Sequence, residues 1–257
     1  MTRNKLINLR NLFLFIKRYI FINKKKLSIE FGSVSATIIA ILMFTAYNTN
    51  SYNSDILLST FLPIFFLGGL IFTSSSFKEL HDPKSSCSFL TFPISTLEKL
   101  TGLWLTTSVL FSVASIATIY IIHILVSILS SQLFDFQLQI DNIFVAELFK
   151  KVASYIVFQS IFLLGAIYFR KNNFLKTILS IFIVFTIYAI LTGLAGRILF
   201  SDYVGNHGFS FNTDNVSPNI IFSLKNTISQ ILNFSYWYLT APFFLIISYF
   251  RLKERQI

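Results

Sequence analysis

The chain has 257 residues and a mass of 29.5 kDa, and 54% of its residues are apolar while only 12% are charged. Soluble domains carry about 25% charged residues, so about half of the charge of an ordinary solvated surface is missing. With a mean hydropathy of +0.68 and 31 Phe, the composition excludes a soluble globular domain, a disordered chain and a disulfide-stapled secreted module. It predicts an all-α polytopic membrane protein with one transmembrane domain over residues 1–257.

The first 27 residues carry a basic stripe, because Arg3, Arg10, Lys17 and Lys24 recur every seven positions. Apolar residues occupy the opposite side of the predicted helix; they are Leu6, Leu9, Phe13, Ile16 and Ile20. This pattern is typical of an interfacial amphipathic helix that lies in the headgroup plane and faces anionic lipid. The alternative is a basic leader that only helps to set the orientation of the protein.

Six apolar segments are long enough to cross about 30 Å of hydrocarbon as helices. They are approximately 29–47, 56–76, 101–129, 148–169, 174–199 and 230–250. Their apolar runs are continuous and lack the period-two alternation of a membrane barrel. From Ile220 the polar stretch before the sixth segment regains a helical apolar period, which predicts a short external helix there.

Lysine and arginine residues are distributed unevenly over the predicted connections. With a cytoplasmic N-terminus, 17 of the 21 Lys and Arg residues lie inside, and only Lys150, Lys151, Arg197 and Lys225 lie outside. This bias follows the positive-inside rule with both termini cytoplasmic. We therefore predict a multi-pass protein of the cytoplasmic (inner) membrane. The net charge of +10 is mostly a topology signal and does not indicate nucleic-acid binding.

Signatures of catalysis and of metal binding are missing from the sequence. No Gly is followed by Lys, so the chain lacks the phosphate-binding loop of ATPases and should not hydrolyse ATP by that route. The histidines, His81, His123 and His207, lie in three different regions, so their spacing predicts no metal site, and His123 is expected to be a structural, hydrogen-bonded residue. We predict no catalytic residue, no metal and no cofactor.

Small and hydroxylated residues stand out within the predicted spans. Ser108, Ser112 and Ser115 share one face of the third span, and Gly68 and Gly69 are adjacent in the second. Close packing between helices explains these residues without a substrate. The serines could instead line a translocation path, and both interpretations stay open.

The connection 77–100, between the second and third spans, is the most informative segment. Ser95 and Glu98 form a predicted capping box at the start of a helix. A helix from Thr96 to Leu129 would be about 51 Å long, so it should project into the cytoplasm or tilt strongly. Apolar residues at 77–80 and 89–92 would then form a docking knob for a soluble partner. The alternative is an ordinary solvated loop.

The stretch Phe92-Pro93-Ile94-Ser95-Thr96-Leu97-Glu98-Lys99-Leu100 is similar to the Leu-Pro-x-Ser-x-x-Glu-Lys signature of short bacterial permeases, with Phe92 in place of the usual Leu. Together with the predicted N-terminal amphipathic helix, six spans and long cytoplasmic connection, it makes the chain resemble the permease subunits of export-type ATP-binding-cassette transporters (the second, ABCG-like class). The architectural resemblance covers nearly the whole chain, whereas the motif covers about nine residues.

The resemblance implies a subunit that forms a pore only as a homodimer or a heterodimer with a similar permease. A separate ATPase subunit would dock on a coupling helix near 77–92, with a lesser contact at 170–173. The side chains implied in this interface are Phe77, Lys78, Glu79, Leu80, Phe89, Leu90, Phe92, Arg170 and Lys171. Membrane lipids are the other expected partner. The alternatives are a non-transport membrane protein, such as an immunity or assembly factor that acts by binding partners, and an intramembrane enzyme.

Overall fold

The computed structural model describes residues 8–83, 85, 86, 89, 91–134, 141–199 and 218–255, with the backbone only for 196–199 and 218–225. The helices in this part of the chain are α1 (Leu9–Thr49), α2 (Ser54–Ser75), α3 (Lys78–His81), α4 (Thr96–Leu105), α5 (Phe111–Phe134), α6 (Ala146–Tyr168), α7 (Asn173–Leu199), α8 (Pro218–Phe234) and α9 (Thr240–Glu254). π-Helical turns at Thr106–Leu110 and Ser235–Leu239 join α4 to α5 and α8 to α9.

Six helical stretches are long and apolar enough to cross a membrane, which agrees with the predicted number of spans. They are Leu9–Thr49, Ser54–His81, Thr96–Phe134, Ala146–Tyr168, Asn173–Ala195 and Asn226–Glu254. Together with the composition, they indicate an all-α multi-pass membrane protein.

The N-terminal helix differs from its prediction. Residues 9–49 form the single helix α1 instead of an interfacial helix followed by a separate span. At 1.5 Å per residue its 41 residues extend over about 62 Å. Residues Asn23–Ser28, where the predicted interfacial helix meets the predicted first span, include no Pro or Gly, so nothing there ends the helix. The helix ends at Asn50, whose φ of 50° is left-handed.

The third span also forms a long helical stretch, and it lies alongside α1. It starts at Thr96, directly after the predicted cap, and ends at Phe134, five residues beyond the predicted Leu129. The two long helices run in the same direction, because Asn8 contacts Glu98 at one end and Tyr47 contacts Phe134 at the other. Both of them exceed the thickness of the hydrocarbon core.

The predicted external helix before the sixth span is α8, but it is not separate. It continues through the π turn into α9. None of the 18 consecutive residues that form the most apolar part of α7 is buried, and only 6% of the corresponding residues of the sixth stretch are buried. These two stretches therefore leave most of their apolar side chains at the surface of the chain.

Two apolar cores hold the bundle together. One contains Leu42, Phe61, Phe65 and Tyr155, and it extends to Tyr52 and Ile143, at what we call the opposite end. The other core lies where α1 and α4 begin, beside the connections 77–95 and 169–172. We call this the basic end, and the candidate site lies there.

Candidate partner-binding surface at the basic end

The apolar side chains of the connection 77–95 point into the protein. Phe77, Leu80 and Phe89 are buried against Phe15 and Tyr19 of α1. The same core contains buried residues of α4, α6 and α9, namely Leu100, Leu103, Leu163, Ala166, Ile167 and Leu252. The prediction of an exposed apolar docking knob is therefore wrong for these three side chains. The start of α1, which we expected in the headgroup plane, covers them instead.

Arg18 joins α1 to the same connection through two contacts. Its guanidinium lies 3.6 Å from Glu79 Oε2 and 5.2 Å from the centre of the Phe92 ring. Phe92 is half-buried, and its ring centre is 6.0 Å from that of Phe15. Leu90, the remaining apolar residue of the predicted interface, lies outside the described residues. The connection is thus fastened to α1 by ionic and aromatic contacts as well as by apolar packing.

The capping box at the start of α4 is present and has a second role. Ser95 Oγ accepts a hydrogen bond from the Glu98 amide at 3.2 Å, and the Ser95 amide donates to Glu98 Oε2 at 2.8 Å. The other carboxylate oxygen, Oε1, accepts from the Asn8 amide at 2.7 Å. Because Asn8 caps α1, the buried Glu98 carboxylate ties together the first turns of α1 and α4.

The polar residues of the predicted interface remain at the surface. Lys78, Arg170 and Lys171 are exposed, and so are Asp82 and Pro83 beside them in sequence. The 169–172 turn ends at Asn172, whose φ of 53° is left-handed. At the basic end, the two connections therefore present polar and mostly basic side chains, while Phe77, Leu80 and Phe89 lie in the apolar core.

His81 joins the connection 77–95 to the end of α6, just before the turn 169–172, and to Arg255 after α9. Its Nε2 lies 2.8 Å from the Ala166 carbonyl oxygen, near the end of α6, and its Nδ1 lies 2.9 Å from Arg255 Nη1. A guanidinium can only donate, so Nδ1 accepts and Nε2–H donates, which is the neutral imidazole. Arg255 also donates to the Tyr168 carbonyl, and Asn173 donates to the carbonyls of Ser74 and Ala166. These bonds link the ends of α3, α6 and α9.

Positive charge is concentrated around this junction. Burial, followed by repulsion from Arg251 and Arg170, lowers the pKa of Arg255. The sequence did not reveal the roles of His81, Asn173 and Arg255. Free carbonyls at the end of a helix are a known target for basic side chains, but sequence alone does not show which basic side chain reaches them.

The three serines of the third span do not share one environment. All three are buried, but Ser108 lies inside the π turn and donates to the Trp104 carbonyl at 2.5 Å. Ser112 Oγ has no hydrogen-bond partner among the described residues, while Ser115 lines a cavity between α1, α2 and α5. A π turn holds one residue more than an α turn, so it rotates Ser108 away from the face of the other two.

A buried polar cluster that we did not predict links α6 to the π turn. The Tyr155 hydroxyl donates to the Thr107 carbonyl at 2.7 Å, and Gln159 Nε2 donates to Thr107 Oγ1. All three residues are buried. Interhelical hydrogen bonds of this kind stabilise membrane bundles by about 0.6–1.7 kcal/mol each. We assign them a packing role.

His123 is buried and hydrogen-bonded, as predicted. Its Nδ1 lies 2.9 Å from the hydroxyl of Tyr52, in the connection between α1 and α2. Burial, with a smaller contribution from Asp141, raises the pKa of Tyr52, so the phenol keeps its proton. Within the described parts of the chain, no three His, Cys, Asp or Glu residues are grouped so that they could hold a metal ion.

No protein-family model matches the sequence, and no curated protein or solved structure is significantly similar to it. The resemblance to transporter permeases therefore rests on the residues and the architecture of this chain.

Proposed function

We propose that this chain is the membrane-spanning permease subunit of an ATP-binding-cassette exporter, worked by a separate ATPase subunit that docks at the basic end. Six candidate spans support this proposal, and so do the Phe92–Leu100 stretch and the missing phosphate-binding loop. A chain without that loop does not hydrolyse ATP by that route, so ATP-driven transport through it would need a separate ATPase.

The junction of the two connections at His81 is the observation that carries the proposal. The connection 77–95 and the end of α6 are far apart in sequence, yet His81 binds Ala166 and Arg255, and Arg255 binds Tyr168, the last residue of α6 before the turn 169–172. A partner that holds this junction would contact both connections at once. Displacement of the junction would reach α1, α4, α6 and α9, because all four contribute to the apolar core beneath it.

The docking surface differs in character from the one that the resemblance implied. Lys78, Arg170 and Lys171 are exposed there, whereas Phe77, Leu80 and Phe89 are not. We therefore propose a polar contact in which acidic residues of the ATPase face these basic side chains. ATP-driven closure of an ATPase pair would then move the connections and switch the spans between inward and outward access.

The proposed membrane placement puts the basic end in the cytoplasm, in accordance with the distribution of lysine and arginine. Along the first half of α1, Phe15 and Tyr19 face the protein, while Leu9, Phe13 and Ile20 are exposed. The exposed apolar side chains of α7 suit contact with lipid or with the second permease of a dimer.

Co-purification with charge-reversal variants tests the proposal. The chain is isolated from its native membranes as wild type and as the double variant R170E/K171E, and a bound ATPase is identified by its phosphate-binding loop and its ATP hydrolysis. The matched control is K150E/K151E, which reverses two exposed lysines at the opposite end. Arg170 lies among other positive groups, so its reversal removes repulsion within the fold.

We expect the ATPase to be retained by the wild type and by K150E/K151E, and to be lost from R170E/K171E at an unchanged thermal unfolding midpoint. If no ATPase accompanies the wild type, or if only K150E/K151E loses it, the permease assignment fails. In that case a non-transport protein that acts by binding other partners would be the better assignment.

A further inference from the structure

A groove of about 310 Å³ lies between α1, α2 and α5. Its size is at the lower end of the range for small-molecule pockets. On α1 it extends from Lys26 to Ile38 and on α2 from Phe61 to Ser75, which corresponds to about 18–21 Å along the helices. One leaflet of the hydrocarbon core is about 15 Å thick. The groove is therefore long and narrow, with the reach of one acyl chain.

The groove is apolar along its length and charged at one end only. Its walls include the buried residues Ile38, Phe61, Phe65 and Ile119. Gly68 lies in the wall, and a β-carbon placed on it would meet nothing within 4 Å, so the missing side chain leaves the space open. This shape suits a flexible hydrocarbon chain.

The charged end carries one cation and one anion. Lys26 Nζ lies 3.6 Å from Glu30 Oε1, and the two side chains are 48% and 49% exposed. Both of them line the groove at the end nearer to the basic end of the bundle. A phosphate with a neighbouring amine is the complement of such a pair, because the phosphate can accept from Lys26 while the amine donates to Glu30.

We propose that this groove binds one acyl chain of a phospholipid whose head carries a phosphate and an amine, as a phosphoethanolamine head does. The phosphate lies at Lys26, the amine lies at Glu30, and the chain extends past Gly68 towards Phe61. The lipid belongs to the leaflet at the basic end of the protein. The site requires neither an ATPase nor transport, so it stands apart from the proposed function.

Photo-crosslinking of the full-length protein in vesicles tests this site. The vesicles contain phosphatidylethanolamine and phosphatidylglycerol, with a trace of phosphatidylethanolamine that bears a diazirine at the end of one acyl chain. Crosslinked peptides are mapped by mass spectrometry. The exposed apolar surface of α7 serves as the reference for ordinary lipid contact. We expect crosslinks to concentrate on the groove segments 61–65, 111–122 and 34–38 relative to α7.

Gly68→Phe fills the groove, so the crosslinks should no longer be enriched on the groove segments relative to α7. Gly32→Phe is the matched control, because Gly32 is also helical and also has open space at its β-carbon but does not line the groove. Equal thermal unfolding midpoints of the two variants exclude misfolding. Crosslinks that survive Gly68→Phe, or that spread evenly over the groove and α7, would overturn the site.

Charge variants test the position of the head. For Lys26→Gln we expect about a tenfold loss in the preference of the groove for the phosphatidylethanolamine probe over a diacylglycerol probe with the same chain. For Glu30→Gln we expect a loss of preference for phosphatidylethanolamine over phosphatidic acid. Neither substitution adds bulk, so both should keep the fold. Unchanged preferences in both variants would overturn the assignment of the head to this pair.

Discussion

Two neighbouring glycines of α2 have different surroundings. A β-carbon on Gly69 would lie 2.5 Å from the ring of Tyr155, whereas a β-carbon on Gly68 would meet nothing within 4 Å. The contact at Gly69 brings α2 close to α6, and the Tyr155 hydroxyl continues from there to the Thr107 carbonyl. Gly69 is therefore required for packing, while Gly68 keeps the groove open.

We predict that Gly69→Ala lowers the free energy of unfolding by about 1–3 kcal/mol, because the added methyl group must displace a buried ring. Gly68→Ala is the control, and it should leave stability unchanged or slightly higher, since Ala favours helix more than Gly does. Thermal unfolding of the purified protein in detergent measures both variants. Similar shifts in the two variants would contradict this role of Gly69.

Individual residues were predictable where the interaction is local in sequence. The capping box of Ser95 and Glu98 needs only four consecutive residues, and it is present in the structure. The partners of His81 lie 85 and 174 residues away, so local spacing contains no signal for them. The three glycines of the first two spans, Gly32, Gly68 and Gly69, have similar sequence surroundings, but only Gly69 packs closely.

At the scale of the elements, the first half of α1 acts as a cover for the connection 77–95. Phe15 is 1% exposed, and its ring lies against those of Phe89 and Phe92. It also approaches Gly102, where a β-carbon would lie 2.7 Å from Phe15 Cδ1. Phe13, two residues earlier, is 66% exposed. Phe15 therefore lies on the inner face of α1, and Phe13 lies on its outer face.

We predict that Phe15→Ala lowers the free energy of unfolding by about 3–5 kcal/mol, because it removes a large side chain from the core at the basic end. Phe13→Ala, which removes the same group from the outer face, should have a much smaller effect. Unfolding midpoints measured in the same detergent distinguish the two faces. The cover would be refuted if Phe13→Ala proved as costly as Phe15→Ala.

The apolar pattern predicted the six spans to within a few residues at most of their ends. It did not predict that α1 and the helix starting at Thr96 pack along each other beyond the expected spans. An amphipathic stripe shows that a face will be covered, but it does not show whether lipid or protein covers it. In α1 the protein covers Phe15, whereas Phe13 is exposed.

For the whole molecule, we predict that the basic end faces the cytoplasm and that the opposite end faces outward. In a Cys87→Ser background, we introduce Lys78→Cys at the basic end or Lys150→Cys at the opposite end, and both positions are exposed. A membrane-impermeant maleimide applied to intact cells should label position 150 and should label position 78 only after permeabilisation. The reverse pattern would place the basic end outside and would remove the site from the reach of a cytoplasmic ATPase.

We propose that a separate ATPase contacts the connection 77–95 and the turn 169–172 together at the basic end. The most direct measurement places a photo-reactive benzoyl-phenylalanine at position 171, at the basic end, or at position 150, at the opposite end, in native membranes. We expect an adduct between position 171 and a protein that carries a phosphate-binding loop, and no such adduct from position 150. If that ATPase is captured from position 150 and not from position 171, or is captured from neither, then an ATPase does not dock at the basic end.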